Sequence, residues 1–540
     1  MLNLYLEANM INRQEIEDVI DKSYNLESLR KLYRNYLYNF DDEGNLRLDL
    51  KDIDYSQQKV QKRELVRILT DIFISNEYFQ KLLTYLPEDV KKVFYKLVWN
   101  GGKSRAEELE RDLELKILLP NQGSTRGKSQ DINSSYLFFC IDRVNNFNMS
   151  SYEYRLYLPD PVREVLKPNF EPPLEYNFLP IDEIDETEHL YENHSSVVKY
   201  LQLYYNYINS GNLNFSKQER PSKGSVKNVR EYCEIKEFYE SDDKDLEYLR
   251  TELIINFLKD ISLDQQDNSV NIMKDLINEF ISPQSSYNLD ILLFHIKGKG
   301  DLRNTGDFKS RNTRVKNSII QILKQCPSEK WLSVENIIKY IFYRNIYFEL
   351  IDENFAENNL YFDEMKRASN SYAYGQKTYI KADNYNDLIN IPLIKGLMFL
   401  FASFGIVDIA YNIPKSNLYK QKNQEYLTVF DGLKYARLTE FGAYILGLTE
   451  EFEVKIEKEE IEIKLDSERL LLTICGQDKF KILFIESFAE KIFEKRYKVT
   501  YSSFLNGCNT KEDLENKIKF FNAEISANPP KIWVDFFNEV

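Results

Sequence analysis

Two clusters of cations are the residues in this chain whose spacing points most directly to chemistry. Lys217, Arg220, Lys223, Lys227 and Arg230 lie within fourteen residues that hold only one acid, Glu219. Lys223, Lys227 and Arg230 are spaced i, i+4, i+7, which puts them on one face of a helix, while Val226, Val229 and Cys233 fall on the other. A helix that packs through its valines and turns its lysines outward can meet phosphate with its front while its back is held by a neighbour. An ordinary solvated helix face carries the same pattern. The second cluster is Lys297, Lys299, Arg303, Lys309, Arg311, Arg314 and Lys316, set against Asp301 and Asp307. Gly298, Gly300 and Gly306 make its first half pliable, and it leads into a helix whose outer face is Arg314, Asn317, Gln321 and Lys324. That mixture of charge and amide suits phosphates and base edges. A flexible loop whose charge serves solubility is the competing account. Only Phe308 interrupts the cations, which argues against stacking on single-stranded bases.

Other chemistries find less support. Residues 123–129 (GSTRGKS) resemble a phosphate loop but have three residues between the glycines where the cradle needs four. Deleting one residue changes how successive N–H groups wrap a phosphate. His189, His194 and His295 are the only histidines, and the first two lie in an acidic stretch without nearby cysteines, so zinc is not expected. Triplets such as Glu453-Val454-Lys455 and Glu462-Ile463-Lys464, or Pro159-Asp160, could belong to a nuclease. In a chain rich in Glu and Lys they arise readily as strand-face charge pairs. The sequence thus nominates no catalytic residue, no cofactor and no metal.

These residues must be positioned by several domains, because 540 residues correspond to about three or four. With 38 Tyr, 34 Phe and 43% hydrophobic residues, the chain is too apolar and aromatic for disorder. Glycine, at 18 residues, is too scarce to favour folds built on glycine-rich phosphate loops. A net charge of −15 confines any nucleic-acid site to a small basic face. Five scattered cysteines, none in a CxxC pair, read as the reduced thiols of a cytoplasmic protein. No basic start leads into an apolar signal segment, and the apolar run Gly396 to Val407 is short of the ~20 residues that cross a bilayer, so no membrane role is expected.

Periodicity predicts a mainly α fold with small β hairpins (α+β): tandem winged-helix units and a small C-terminal α/β domain. Residues 1–85 read as a helical region. Residues 86–167 read as a winged-helix-like unit, with a helix from Leu86, a second over Ser104–Leu113, and strands at Tyr136–Ile141 and Tyr154–Leu158. Residues 168–194, with four prolines among acids, read as a linker. Residues 195–290 form a helix-turn-helix unit, and 291–450 a winged-helix unit with an insertion at 351–387. In the latter, the helix Leu388–Phe404 is apolar all round and belongs in a core, which leaves Lys415, Lys420 and Lys422 for the wing. A strand over Phe452–Leu465 opens the last domain, 451–540.

Tyr435 to Gly447 (YARLTEFGAYILG), Arg469 to Thr473, Phe488-Ala489-Glu490, Tyr497 to Phe504 and Pro529-Pro530 together resemble the helicase-associated region, a winged helix plus small α/β domain, of bacterial XPB-type helicases. The resemblance covers about residues 330–540 and stops short of the motor domains. It implies a fold and a role in contacting DNA or a motor, with ATP hydrolysis belonging to a separately encoded helicase or ATPase. The expectation is therefore a non-catalytic nucleic-acid-binding or adaptor subunit, with double-stranded DNA and such an ATPase as partners, in DNA processing or phage defence. A protein-protein scaffold without nucleic-acid binding is the alternative, followed by an unrecognised nuclease or hydrolase.

Overall fold

The computed structural model describes residues 13–37, 61–120, 130–145, 152–192, 194–208, 213–215, 221–241, 243–259, 261, 269–367, 373–381, 384–416, 419–421, 424–452, 462–476, 479–506, 508 and 511–540. The fold is mixed α+β, with helices carrying most of the core and several small antiparallel sheets. The chain divides into two compact units, residues 1–177 with 339–346, and residues 178–338 with 347–540.

In the first unit, α1 (Arg13–Ser23) buries Ile16 and Ile20 one turn apart, and α2 (Leu26–Leu32) starts where the Asn25 side chain accepts from the Ser28 N–H. Next come α3 (Lys62–Ile74), α4 (Asn76–Tyr85) and α5 (Glu88–Trp99), which bury one apolar face each. Helix α5 ends at Gly101 and Gly102, both at positive φ, and a Cβ on Gly102 would lie 3.0 Å from the Leu158 carbonyl oxygen. β1 (Lys103–Arg105) and α6 (Ala106–Leu113) follow, then β2 (Leu118–Pro120), β3 (Gln130–Ile132), β4 (Cys140–Asn145), β5 (Tyr152–Tyr157) and α7 (Asp160–Leu166). The main sheet has the order β1-β5-β4.

Two expectations for this unit need correction. The second helix begins at Ala106 rather than Ser104, because Lys103–Arg105 pair with Tyr157–Arg155 of β5. Tyr136–Ile141 is not a continuous strand: a 3-10 turn covers Ser134–Tyr136 and pairing starts at Cys140. The turn lets four consecutive side chains, Tyr136, Leu137, Phe138 and Phe139, all enter the core, where an alternating strand would send two of them to the opposite face. Phe94 gathers Phe79, Phe138 and Phe139 with ring centroids 4.5 to 6.0 Å away.

In the second unit, β6 (His189–Tyr191) precedes α8 (His194–Ile208), α9 (Lys223–Cys233), α10 (Leu249–Leu258), α11 (Ser269–Ile281) and α12 (Phe308–Gln325). Then come β7 (Trp331–Ser333), α13 (Val334–Tyr343, whose residues from 339 onward are assigned to the first unit), α14 (Glu353–Asn359), the hairpin β8 (Tyr361–Arg367) and β9 (Ala373–Tyr379), α15 (Ile391–Ser403), β10 (Val407–Tyr411), β11 (Leu433–Leu438) and α16 (Glu440–Ile445). The sheet order is β6-β10-β11-β7. Residues 168–194 are not a bare tether, since Ile181 bridges to Trp331 and His189–Tyr191 adds a strand beside β10. Helix α15 is buried on nearly every side, as its composition requires, and a Cβ on Gly396 would lie 2.9 Å from the Phe430 ring. Beside it, the buried Arg250 of α10 donates to the carbonyls of Lys236 and Ser403, both at 3.1 Å.

The C-terminal stretch of this unit has a core of its own around Phe488, Tyr497, Phe504, Phe521 and Trp533. It comprises β12 (Glu462–Leu465), β13 (Leu471–Cys475), α17 (Lys479–Phe488), β14 (Glu490–Phe493), β15 (Arg496–Lys498), α18 (Tyr501–Leu505), α19 (Lys511–Glu524) and α20 (Lys531–Glu539), with sheet order β12-β13-β15-β14. Of the expected strand Phe452–Leu465, residues 462–465 form β12 and 453–461 lie outside the described residues. Among the described residues no helix is long and apolar enough to cross a membrane.

Candidate nucleic-acid interface

Helix α9 positions the first cluster. Ser222 caps it, its hydroxyl accepting from the Ser225 N–H at 3.2 Å, and Glu234 ends it in the left-handed conformation at φ 48°. Val226, Val229 and Cys233 are buried, which turns Lys223 and Lys227 to solvent. Lys227 lies 3.7 Å from Glu231, an exposed i,i+4 pair too weak to hold it back from a phosphate. Arg230 is half-buried, with its guanidinium 5.4 Å from the Tyr248 ring centre. Lys217 and Arg220 lie outside the described residues.

In the second cluster Lys297, Arg303, Lys309 and Arg314 are exposed, Lys299 and Arg311 half-buried, and Lys316 buried, and most of them are engaged by groups of the protein. Lys299 donates to the carbonyls of Asp290 and Leu293 at 2.7 and 3.1 Å. Arg303 pairs with the buried Asp290 carboxylate at 3.2 Å. Arg311 sits among Asp307, Glu349 and Asp352 at 2.5, 2.8 and 3.1 Å, and its hydrogen bond holds the Asp307 carboxyl below the usual range. Arg314 lies over the Tyr347 ring at 3.6 Å. Lys316 is buried, with Nζ 2.9 Å from the Ser285 hydroxyl and rings of Phe280 and Tyr287 at 5.1 and 5.7 Å. Burial lowers its pKa to about 8, against the opposing pull of Glu279.

Arg303 and Arg311 pair with carboxylates of the protein and Lys299 with two carbonyls, whereas Arg314 is exposed beside a ring and Lys316 is buried. A phosphate would have to displace carboxylates from Arg311, and it has no route to Lys316 without local opening. Lys297 and Lys309 are exposed like Arg303 and Arg314, and Lys309 lies 3.5 Å from the Gln284 side-chain oxygen. On the outer face of α12, Arg314, Asn317, Gln321 and Lys324 are exposed as the periodicity requires. Of the wing lysines, Lys415 is exposed, Lys420 pairs with Glu425, and Lys422 lies outside the described residues.

A feature that linear reading missed stands beside Lys297. Its backbone bridges to Tyr361 of β8, which in turn faces Tyr379 of β9. The only linear hint is the alternation of Tyr361, Asp363 and of Lys377, Tyr379 in the insertion. A cleft of about 450 Å³ lies elsewhere in this unit, between α11, α12 and α16, with Lys274, Lys324, Ile277, Ile320 and Tyr444 on its walls. Among the described residues, no group of three or more His, Cys, Asp or Glu side chains converges as a metal site would.

No family model matches the chain, and no curated protein is significantly similar to it.

Proposed function

We propose that this protein is a non-catalytic nucleic-acid-binding or adaptor subunit, engaging double-stranded DNA through α9 and working with a separately encoded helicase or ATPase in DNA processing or phage defence. The observation that carries this reading is the division of α9 into a buried Val226–Val229 face and an exposed Lys223–Lys227 face. We further read two of the sheets as wing sheets. What supports this reading is the order β7-β11-β10, with α12 ahead of β7 and α13 and α15 between β7 and β10, α14 and the β8–β9 hairpin being inserted between those two helices. The order β1-β5-β4 with α5 before and α6 after β1 supports it in the same way, although a 3-10 turn stands where a third helix would be. In the second of the two units the helix corresponding to the recognition helix is the buried α15, so that wing serves packing and DNA contact falls to α9. The resemblance over residues 330–540 supplies the motor partner. Its docking surface in this reading is the edge strand β14, where Ile492 and Phe493 are 44% and 67% exposed.

The test is fluorescence anisotropy with a labelled duplex from about 50 to 200 mM salt. Reversing Lys223 and Lys227 to Glu changes a face that packs nothing, so the fold should survive. The slope of log affinity against log salt should flatten by about two, roughly 0.9 for each phosphate contact removed. A wild-type protein that fails to bind at the lowest salt would leave the protein-protein scaffold as the reading.

A further inference from the structure

We infer that the insertion hairpin carries a second nucleic-acid surface, one that takes unpaired bases. Antiparallel pairing aligns Lys297, Tyr361 and Tyr379 side by side across three neighbouring segments: Lys297 bridges to Tyr361, and Tyr361 faces Tyr379 in the β8–β9 register. Residues directly opposite each other in antiparallel pairs project to the same face. That face is the solvent side, because Tyr379 is 50% exposed and Lys297, Lys377 and Asp363 are exposed, while Phe362 and Ile380 of the opposite face are buried.

The rings of Tyr361 and Tyr379 have centroids 5.9 Å apart, and the Lys377 ammonium stands 4.3 Å from the Tyr361 ring centre. Aromatic rings flanked by ammonium groups are the parts a single strand needs: a base stacks on a ring while its phosphates meet the cations. A paired base in a duplex has no free face to offer. Asp363 sits in the same row as Lys377, and with Lys297 the face keeps a net positive charge. The alignment depends on Gly298, whose φ of 84° lets Lys297 run against β8 and whose missing side chain clears the Asn359 carbonyl oxygen, 2.1 Å from where a Cβ would stand.

This surface is separate from α9 and stands or falls independently of it. The experiment measures anisotropy of a labelled oligothymidylate of about 12 nucleotides and of a duplex of equal length, using the full chain at low salt. Tyr379→Ala should weaken the single strand about ten-fold, Tyr379→Phe should restore it, and Lys377→Glu should flatten its salt dependence. Duplex affinity should be unchanged in Tyr379→Ala, and Lys223→Glu with Lys227→Glu should leave single-strand binding intact. The inference is overturned if the wild type ignores the single strand, if Tyr379→Ala binds it as tightly as the wild type, or if duplex binding falls in step. Loss of duplex binding alone in the α9 variant leaves this surface in place.

Discussion

The guanidinium of Arg311 meets the carboxylate of Glu349 at 2.8 Å, which joins the start of α12 to the segment before α14. With Asp307 and Asp352 completing the cage, this arginine holds the fold together and has no unpaired charge to offer a phosphate. Arg311→Ala is expected to destabilise the protein by about 1–3 kcal/mol, because three carboxylates lose their shared partner. Duplex affinity of the folded fraction should not change. Urea denaturation and anisotropy on the same preparation check both halves.

Lys316→Met should raise stability near neutral pH. The folded pKa of about 8 lies below the ordinary lysine value of 10.5, so burial of the ammonium is a penalty fully present below pH 8. It is relieved as pH rises from 8 to 10.5, where the unfolded chain still holds the proton and the folded one does not. Methionine keeps the contacts with Phe280 and Tyr287 and removes the charge, for a net gain on the order of 1 kcal/mol after loss of the Ser285 bond. An unchanged or lowered melting temperature at pH 7 would refute this.

His295 makes the same demand in a more acidic window. Its Nε2 lies 2.7 Å from the Leu388 carbonyl oxygen inside the core, and burial pushes the imidazole down to about 4. Between pH 6.5 and 4 the unfolded chain takes up a proton that the folded chain refuses, so stability falls as pH drops through that window, by up to about 3 kcal/mol. His295→Gln keeps a donor for Leu388 without titrating. Its stability curve should be flatter than the wild type's across this window, as measured by chemical denaturation at several pH values.

Residues 451–540 should be removable. Trp533, Phe521 and Phe488 belong to a core within that stretch, and Tyr232 reaches it by a 3.1 Å hydrogen bond to Glu486. A chain ending at Glu450 is expected to keep the helical circular dichroism of the remaining residues and, under the proposed function, to lose capture of the proposed ATPase partner. Collapse of helicity throughout would show that the stretch is integral to the fold.

Local pattern made much of this legible. The spacing of Val226, Val229 and Cys233 identifies the buried face of α9, and the unbroken apolarity of Leu397 to Phe401 identifies a core helix. Both follow from a helical period that operates within one or two turns. The 3-10 turn at Ser134–Tyr136 was not legible, because an apolar run of that length suits a strand equally well.

Charge and periodicity in the sequence alone located the two basic clusters, and the α9 spacing alone determined which of its lysines point outward. Which cations stay available was decided only by tertiary structure. Arg311 is neutralised by an acid 41 residues away, Lys316 is enclosed by side chains of another helix and loop, and Lys297 gains two tyrosines from a hairpin it pairs with. Composition counts a charge the same wherever it lies, whereas its availability to a ligand depends on which distant groups the folded chain brings within hydrogen-bonding reach.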